Sequence, residues 1–308
     1  MQKMKINITY EPIKIGAISE RVAVHELLWN NCPQTYTVPE FPLKLDIELT
    51  NRCSRTCDMC AFHSKLALFR FPNEDLPLEL FKKIIDESEG KTTLKLNYSG
   101  DPLLYPHLTE AIEYAKKKGV VEIRFNTSGD LLTGDMMKKL IKAGLDRILL
   151  SDYDDPDLKE KILTFEALKQ LMGVTHPIIV IQKVMVEGVI RQEWIDKWSD
   201  IETIELGLQT YLDYQRMPYN TTKSGFQCAF PWQRMLILSN GDVYTCCGMP
   251  HRDKLIGNIV HDTIKELWHG NKMESYRKLN REKRSDEILG CACCPMRDKF
   301  VGDGSAKG

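Results

Sequence analysis

Three cysteines near the start of the chain have the spacing of metal ligands. Cys53, Cys57 and Cys60 lie within the stretch NRCSRTCDMC. A closed structural zinc or iron site normally takes four protein ligands, so three thiolates leave one coordination position open. An open position is where a substrate or cofactor binds a metal centre. The spacing therefore predicts a metal site that takes part in chemistry.

A second group of cysteines lies towards the other end of the chain. Twelve residues separate Cys228 from Gly241, and four more separate Gly241 from Cys246. The β-rich runs RMLIL and DVYTC flank the turn SNG, which predicts a hairpin that brings Cys228 and Cys246 together. After a helical stretch, Cys291 and Cys294 form a C-x2-C pair. Four such thiols fit either a closed zinc ribbon or an iron–sulfur cluster.

The composition argues against several classes of function. The chain has 308 residues, 43% of them hydrophobic, and its 42 Lys and Arg against 43 Asp and Glu give a net charge of -1. There is no positive excess to attract nucleic acid or an anionic membrane. No apolar run has the length of a membrane span, and residues 1–14 lack the apolar centre of a signal peptide. We expect a cytoplasmic protein whose clustered cysteines bind metal rather than form disulfides.

The elements that must position these thiols alternate between strand and helix. Six β-rich runs begin at Leu43, Thr93, Val121, Asp146, Pro177 and Ile201. Amphipathic stretches lie between them, and several end in glycine, as PLELFKKIIDESEG does. The alternation predicts a parallel sheet with right-handed crossovers, either a partial barrel or a doubly wound sheet. In both architectures the site lies at the carboxyl ends of the strands, where the cysteine run and the turns YSGDP and NTSG fall.

The C-x3-C-x2-C run directly after the first strand resembles the signature of radical S-adenosylmethionine (radical SAM) enzymes. The resemblance implies an α/β fold, a partial (β/α)6 barrel with a small C-terminal auxiliary-cluster domain. It also implies that Cys53, Cys57 and Cys60 hold a 4Fe-4S cluster. The amino and carboxylate groups of S-adenosyl-L-methionine then bind the fourth iron, which explains why the set has three cysteines and not four.

The same resemblance implies cofactor contacts at the ends of neighbouring strands. SGDP stands where relatives carry GGEP, with Ser99 in place of the first glycine and Asp101 in place of the glutamate. The expected contacts are Met59, Ser99, Gly100, Asp101, Pro102, Asn126, Ser151, Asp152 and Lys183. The acidic run SDYDD is also compatible with a solvated loop, and Lys183 with an outward position on its strand.

The second cysteine group, with its intervening LWHG helix, is similar to the SPASM and Twitch extensions of the family, which hold auxiliary 4Fe-4S clusters. No cysteine follows Cys294. The resemblance therefore implies one auxiliary cluster, two clusters in all, and the shorter Twitch form found in members that oxidise aminocyclitols. Its expected ligands are Cys228, Cys246, Cys291 and Cys294. The expected domains are an N-terminal extension at 1–42, the radical SAM partial barrel at 43–215 and the Twitch/SPASM-like domain at 226–300.

The family chemistry implies a radical SAM oxidoreductase, most simply a dehydrogenase. A 5'-deoxyadenosyl radical would abstract hydrogen from a small polyol, sugar, aminocyclitol or peptide, and the auxiliary cluster would accept the second electron. The expected partners are the substrate and a reductant such as flavodoxin or ferredoxin. An alternative is an epimerase or peptide-modifying enzyme in which Cys247 or Cys293 returns a hydrogen atom. A non-catalytic metal-binding scaffold is the alternative from another class.

Overall fold

The computed structural model describes residues 20–65, 67, 72–185, 192–210, 227–248, 252–292 and 294. Strand and helix alternate over much of this part of the chain. The strands are β1 (Lys44–Ile47), β2 (Thr93–Lys95), β3 (Ile123–Thr127), β4 (Arg147–Ser151), β5 (Ile178–Met185), β6 (Glu205–Thr210), β7 (Arg234–Ile237), β8 (Asp242–Tyr244) and β9 (Leu255–Asn258). The helices are α1 (Glu20–Thr35), α2 (Leu78–Ser88), α3 (Leu108–Lys117), α4 (Gly134–Ala143), α5 (Leu158–Leu171), α6 (Gln192–Trp198), α7 (Ile264–His269), α8 (Asn271–Arg281) and α9 (Leu289–Ala292).

The described strands form a single sheet in the order β6-β5-β4-β3-β2-β1-β7-β8-β9. Strands β1 to β6 are parallel to their neighbours, and β7 is parallel to β1, with Lys44 opposite both Thr93 and Arg234. Strands β8 and β9 continue the sheet in antiparallel pairing. The hairpin of the second cysteine group therefore joins the barrel sheet directly along β1. The expected α/β class, with a mostly parallel sheet, is confirmed.

The two faces of the sheet differ in chemistry, and β1 shows the pattern. Leu45, Ile47 and Leu49 are fully buried in the main hydrophobic core, which the helices share. Because side chains alternate along a strand, Lys44, Asp46 and Glu48 project from the opposite, inner face. The same alternation in β2 places Leu94 and Leu96 in the core and directs Lys95 inwards. The inner face is therefore polar, which suits a binding surface.

Helix α1 begins the described chain and packs across the amino ends of strands. The Arg21 guanidinium donates to the carbonyls of Gly90 and Gly119, both at 2.6 Å. The His25 ring lies 2.6 Å from the carbonyl of Leu43, just before β1. Helix α1 therefore contacts the end of the barrel opposite the cysteine run.

The structure differs from the sequence prediction in the C-terminal helical region. The stretch from His261 to Lys283 was predicted as one helix, but it forms two, α7 and α8, separated by Gly270. Gly270 is extended (φ -72°, ψ 159°), which ends α7. A Cβ there would lie 2.8 Å from the carbonyl oxygen of Glu266, so only glycine fits this break without a shift. Strand β9 and the short helix α6 were not predicted.

No helix in the described ranges is both long enough and apolar enough to cross a membrane.

Candidate active site

The three cysteines predicted to hold the first cluster follow β1 on one loop. Cys53, Cys57 and Cys60 are half-buried free thiols. Burial raises the pKa of Cys53, and nearby Asp101, Cys57 and Cys60 raise it further. The three thiols therefore lie within electrostatic reach of one another, and holding them as thiolates requires positive charge beside them.

Polar groups around the loop point at its sulfur atoms. The backbone N–H groups of Phe62 and His63 donate to Cys60 Sγ at 3.4 and 3.3 Å. The side chain of Tyr153, just after β4, is hydrogen-bonded to Cys57. Burial, with a further contribution from Cys57, raises the pKa of Tyr153 to about 12, so its hydroxyl remains a donor. Hydrogen bonds to the sulfurs are among the groups that tune an iron–sulfur cluster.

Two arginines of the cysteine run, one just before Cys53 and one between Cys53 and Cys57, hold the loop in place. Arg52 forms a bidentate pair with Asp75, at 2.6 and 2.9 Å, and donates to the carbonyl of Leu104. Arg55 forms a bidentate pair with Asp130, in which its Nε donates at 2.6 Å. These arginines were not predicted as functional residues from the sequence, although both lie within NRCSRTCDMC. A loop that carries spaced ligands needs such fixed anchors.

The turn after β2 packs directly against the start of the cysteine loop. The Asp101 N–H donates to the carbonyl of Arg52 at 2.8 Å. A Cβ on Gly100 would lie 2.6 Å from that same oxygen and closer still to the carbonyl of Thr50. Glycine is required because two backbones approach closely here. Gly100 thus connects the turn to the loop through close backbone contact.

The two positions that depart from the family pattern bind other protein groups. The Asp101 carboxylate accepts from Thr127 Oγ1 at 2.8 Å, and from Ser128 and the Leu103 N–H, which begins the turn at Pro102–Leu104. Ser99 donates through its N–H and its hydroxyl to Glu48 Oε2. These contacts make SGDP a junction between β1, β2 and β3.

Glu48 was not selected from the sequence, yet it connects the barrel to the hairpin. Its second oxygen accepts from the N–H and hydroxyl of Ser239, in the turn between β7 and β8, at 3.3 and 3.0 Å. The side chain is buried on the inner face. The alternation of Lys44, Asp46 and Glu48 in LKLDIEL was the available signal.

The remaining predicted cofactor contacts divide into inner and outer positions. Asn126 donates to Gln182 Oε1 at 2.5 Å across the inner face, and Ser151 lies opposite Gln182 in the sheet register. Lys183 Nζ pairs with Asp154 at 2.6 Å. Met59 is half-buried in the cysteine loop. Asn126, Ser151 and Met59 therefore lie at the edge of the sheet that bears the cysteines.

Asp152 lies on the other side of its strand. Its carboxylate is fully buried and accepts from Trp194 Nε1 at 2.8 Å, Trp198 Nε1 at 3.2 Å and Lys197 Nζ at 3.1 Å. Burial alone would raise the pKa of Asp152, but these donors and the Asp154 N–H lower it. The carboxylate is bonded to α6, so in this structure it anchors that helix.

The second cysteine group also comes together. Cys246 and Phe230 form a small buried cluster against which Cys228 and Cys294 pack. Burial raises the pKa of Cys228 well above its usual value, with Cys246, Cys294 and Cys291 adding to the rise. Gly248 lies so close that a Cβ there would be 3.4 Å from Cys246 Sγ and 3.6 Å from Cys294 Sγ. The hairpin predicted from SNG is present, with Gly241 at φ +85°.

A buried lysine accompanies this second site. Lys254 has no exposed surface, and its Nζ lies 3.6 Å from Cys246 Sγ. Burial lowers the pKa of Lys254, but Cys246, Cys291 and Cys294 outweigh that effect and raise it above its usual value. The ammonium group therefore stays charged beside the thiols. A lone lysine in the unremarkable stretch HRDKL gave no sequence signal.

The structure describes one of the two cysteines that were predicted as hydrogen-atom donors. Cys247 faces the inner side of the sheet, where Arg234 Nη1 donates to its sulfur at 2.9 Å. Burial raises the pKa of Cys247, and Asp46 raises it further, so the group is a protonated thiol. Cys293 lies outside the described residues.

An aromatic contact connects the surroundings of the two cysteine sites. The ring of Phe62, beside Cys60, lies edge-on to the ring of Tyr98 with centroids 5.1 Å apart. The Tyr98 hydroxyl donates to the carbonyl of Gly248 at 2.9 Å. Tyr98 therefore contacts both sites.

Both thiol sets fit iron–sulfur clusters. They consist of free cysteines, and burial raises the pKa of Cys53, Cys228 and Cys291. Nearby cations hold such thiols as thiolates, and cluster irons supply that charge. No three His, Cys, Asp or Glu side chains in the part of the chain that the structure describes are arranged to hold a single metal ion. A four-iron cluster makes a different demand, because each thiolate binds its own iron.

Comparison with known proteins matches both sites to family models. Residues 47–152 match the radical SAM superfamily, and residues 228–295 match the SPASM iron–sulfur cluster-binding domain. The first range contains the cysteine loop and SGDP. The second contains all four cysteines of the buried site.

Some relatives match this chain over most of its length, and others over only a part of it. The tungsten-containing aldehyde ferredoxin oxidoreductase cofactor-modifying protein of Pyrococcus furiosus is 32% identical over 82% of this chain and 87% of its own length. The S-adenosyl-L-methionine-dependent 2-deoxy-scyllo-inosamine dehydrogenase of Niallia circulans is 21% identical over 81% and 91%. The PqqA peptide cyclase of Granulibacter bethesdensis is 36% identical, but over only 39% and 31%.

A crystal structure of BtrN in complex with AdoMet and 2-DOIA has the same fold. It superposes with a TM-score of 0.57 at 18% identity, and the match covers 82% of this chain and 92% of that one.

Proposed function

Because the chain belongs to the radical SAM superfamily and carries a SPASM domain, we propose that it is an oxidoreductase of the dehydrogenase type. Its cofactors are S-adenosyl-L-methionine and two 4Fe-4S clusters. When both sites are loaded, the first supplies a 5'-deoxyadenosyl radical that abstracts a hydrogen atom from substrate, and the second takes up the remaining electron. The substrate class is a small polyol, sugar, aminocyclitol or peptide.

We assign the cysteines as follows. Cys53, Cys57 and Cys60 hold the catalytic cluster, and Cys228, Cys246, Cys291 and Cys294 hold the auxiliary cluster. The support for the first set is the loop that carries three half-buried free thiols, and for the second the close approach of Cys246 and Cys294 to Gly248. Asn126, Ser151, Met59 and the backbone of the SGDP turn contact the S-adenosylmethionine. Asp101 acts indirectly by fixing the SGDP turn, and Asp152 acts indirectly by fixing α6.

The observation that carries the dehydrogenase proposal is the closed character of the second site. Four cysteines leave no open position at which a substrate could bind iron. Lys254 adds a buried positive charge that favours a more negative, reduced centre. A cluster with four cysteine ligands and a lysine beside it is suited to accept an electron and has no open position for substrate.

The proposed oxidation balances at an alcohol carbon. The 5'-deoxyadenosyl radical would take one hydrogen atom from the carbon and become 5'-deoxyadenosine, the hydroxyl proton would go to solvent, and a cluster held by the second set of cysteines would accept one electron, so that C–OH would become C=O. Half-buried polar groups on the inner face, such as Asn126 and Gln182, are placed to orient a hydroxylated substrate. A reductant such as flavodoxin or ferredoxin supplies the electron that starts each turnover.

The proposal is tested with anaerobically reconstituted protein in deuterated buffer. Reductive cleavage of S-adenosylmethionine to 5'-deoxyadenosine is expected with wild-type protein, and its absence would favour a non-catalytic scaffold. Incubation with a panel of aminocyclitols, sugars, sugar phosphates and short peptides should give one product that has lost two hydrogens. That product should carry no solvent deuterium at the oxidised carbon.

Epimerisation is the second candidate, and Cys247 favours it. Its thiol is kept protonated and faces the inner side of the sheet near Asp46 and Arg234. A thiol S–H can return a hydrogen atom to a carbon radical. An isomeric product carrying one deuterium, with that incorporation lost in Cys247→Ala, would replace the dehydrogenase proposal. The similarity of the radical SAM region to PqqA peptide cyclase keeps peptides in the substrate panel.

A further inference from the structure

The inner face of the barrel carries a row of adjacent positive charges. The register places Asp46 of β1 opposite Lys95 of β2, Lys95 opposite Arg124 of β3, and Arg124 opposite Arg147 of β4. Strands in a sheet are about 4.8 Å apart, and like charges on neighbouring strands destabilise it. Three cations in succession therefore need negative charge nearby.

The described carboxylates around this row supply only part of that charge. The cations on and beside the row are Lys44, Lys95, Arg124, Arg147 and Arg234, and the carboxylates are Asp46, Glu122 and Glu205. Arg147 forms a bidentate pair with Glu205 at 2.7 and 3.1 Å. Asp46 is shared between Lys44 and Arg234, each at 3.5 Å. Glu122 is shared between Arg124, at 3.8 Å, and Arg147, at 3.6 Å. The described cations therefore still outnumber the described carboxylates around Lys95 and Arg124.

Lys95 and Arg124 are also the members of the row with accessible surface. Both are half-buried, whereas Lys44, Arg147 and Arg234 are buried. Burial lowers the pKa of Lys95, and the nearby charges of Asp46 and Cys247 only partly oppose that effect. The ordinary partner of a cation in such a place is a hydrogen-bonded anion.

The positions of the two cysteine sites show where a group bound to this row of cations would lie. The cysteine loop and SGDP lie beyond the carboxyl ends of β1 and β2, whereas Cys247 of the second group lies beside Arg234 at the amino end of β7. Lys95 is within electrostatic reach of Cys247. A group bound at Lys95 and Arg124 would lie on the inner face between the two cysteine sites.

We propose that this row binds an anionic oxygen group of the substrate, a phosphoryl or carboxylate group, through Lys95 and Arg124. The inference rests on the proposed function, which it narrows to the anionic members of the substrate class. The anion would fix the substrate at the amino-terminal side of the inner face and leave its reacting carbon towards the cysteine loop.

Binding of small anions tests the proposal independently of turnover. Inorganic phosphate, acetate and, as an uncharged comparison, glycerol are titrated calorimetrically into reconstituted protein saturated with S-adenosylmethionine. Phosphate or acetate should bind and glycerol should not, and the stronger of the two anions identifies the phosphoryl or the carboxylate source. Lys95→Met and Arg124→Met should each weaken that binding at least tenfold. Lys117→Met, at an exposed lysine of α3, should leave it unchanged.

Thermal unfolding distinguishes a binding row from a structural one. Without added anion, Lys95→Met should unfold at the same temperature as wild type or higher, because the change relieves repulsion from Arg124. Added phosphate should stabilise wild type and not the variant. The proposal is overturned if wild type binds neither anion, if Lys95→Met binds as wild type does, or if that variant unfolds at a lower temperature. Formation of 5'-deoxyadenosine by the same preparations reports separately on the proposed function.

Discussion

The two cysteine sites of this protein are built on opposite physical principles. The first is a half-buried loop that Arg52 and Arg55 fasten with ion pairs and that Gly100 brings against the neighbouring turn. The second lies between a hairpin and the C-terminal helices, where Cys246 and Lys254 are buried and Cys228, Cys291 and Cys294 are partly buried. The first is held by polar anchors. The second is held by packing, with one buried lysine beside it.

The difference shows how one fold can separate two tasks. A centre that must admit a cofactor has to keep surface accessible, so its geometry is fixed from outside by charged side chains. A centre that only exchanges electrons can be enclosed, and burial then makes each nearby charge count for more because screening by water is weak. The contrast predicts different effects for substitutions at the two sites, and the largest effect is expected at the ligands of the first.

Removing the first set of ligands should abolish chemistry without removing the second centre. Reconstituted wild type should contain about eight irons, and Cys53→Ala/Cys57→Ala/Cys60→Ala about half of that. The variant should form no 5'-deoxyadenosine by chromatography. Cys32→Ala, at a buried cysteine of α1, is the control and should keep both iron and activity. A triple variant that retains full iron and cleaves the cofactor would show that the ligands lie elsewhere.

Removing a ligand from the second set should give the complementary result. Cys246→Ala should lose iron and oxidised product while retaining some formation of 5'-deoxyadenosine, because the first loop has its own anchors. Iron analysis and mass spectrometry measure the two outcomes, and circular dichroism confirms that the chain still folds. Retained zinc in place of iron in the wild type would favour the zinc ribbon.

Adding a methyl group at Gly100 should disturb the first site alone. The new Cβ would meet two backbone carbonyls that cannot move separately, so Gly100→Ala should destabilise the protein by about 1–3 kcal/mol and reduce iron in the first set. Gly134→Ala is the matched control, since a Cβ there meets no atom within 4 Å. Denaturant unfolding and iron analysis make the measurement. Equal behaviour of the two variants would mean that the contact at Gly100 does not position the loop.

Neutralising Lys254 should alter the second site without emptying it. A positive charge beside a cluster stabilises the reduced form, so Lys254→Met should lower the reduction potential, and a tenfold change in the equilibrium constant corresponds to about 59 mV for one electron. The titration is followed by electron paramagnetic resonance in the Cys53→Ala/Cys57→Ala/Cys60→Ala background. Lys272→Met, at an exposed lysine of α8, is the control. An unchanged potential would remove the electrostatic argument for electron acceptance.

The smallest expected effect is a pH dependence in the first loop. The hydrogen bond from Arg55 lowers the pKa of Asp130 below its usual 3.8. Because the folded pKa is the lower one, the pair stabilises the fold above about pH 4 and loses that contribution as the pH falls through the folded value. For a partly exposed pair the contribution is about 1 kcal/mol or less. Unfolding of the iron-free protein from pH 6 to 3 should therefore be less pH-dependent in Asp130→Asn. If unfolding of wild type and of Asp130→Asn depended on pH to the same extent, the role given to the Arg55–Asp130 ion pair would be contradicted.

Much of the architecture was predictable because it follows local rules. The period-two alternation in LKLDIEL and the glycine stops of the helices act within a few residues, and the structure contains the corresponding β1 and the helices α2 to α5. The thiols of the hairpin were also brought together by a short-range turn at Gly241. Patterns of this kind require no knowledge of distant partners.

Most of the groups that sequence reasoning missed depend on contacts between distant parts of the chain. Glu48 matters because it meets both Ser99 and Ser239. Lys254 lies only eight residues from Cys246, but folding also brings it near Cys291 and Cys294. Asp152 was expected to touch a cofactor, but in the structure its carboxylate is bonded to α6, a helix that was not predicted. The sequence position of a charged residue does not reveal which element its side chain will contact.

The pairing of β1 with β7 has a consequence for how the protein is made. Translation delivers β1 early and β7 late, so one edge of the central strand stays unpaired while the intervening barrel units are synthesised. An uncovered strand edge is a template for association with other chains, and pairings between distant segments form slowly. The nascent chain is therefore most exposed to aggregation just before its hairpin emerges. Splitting the gene between β6 and β7 would make that transient hazard permanent.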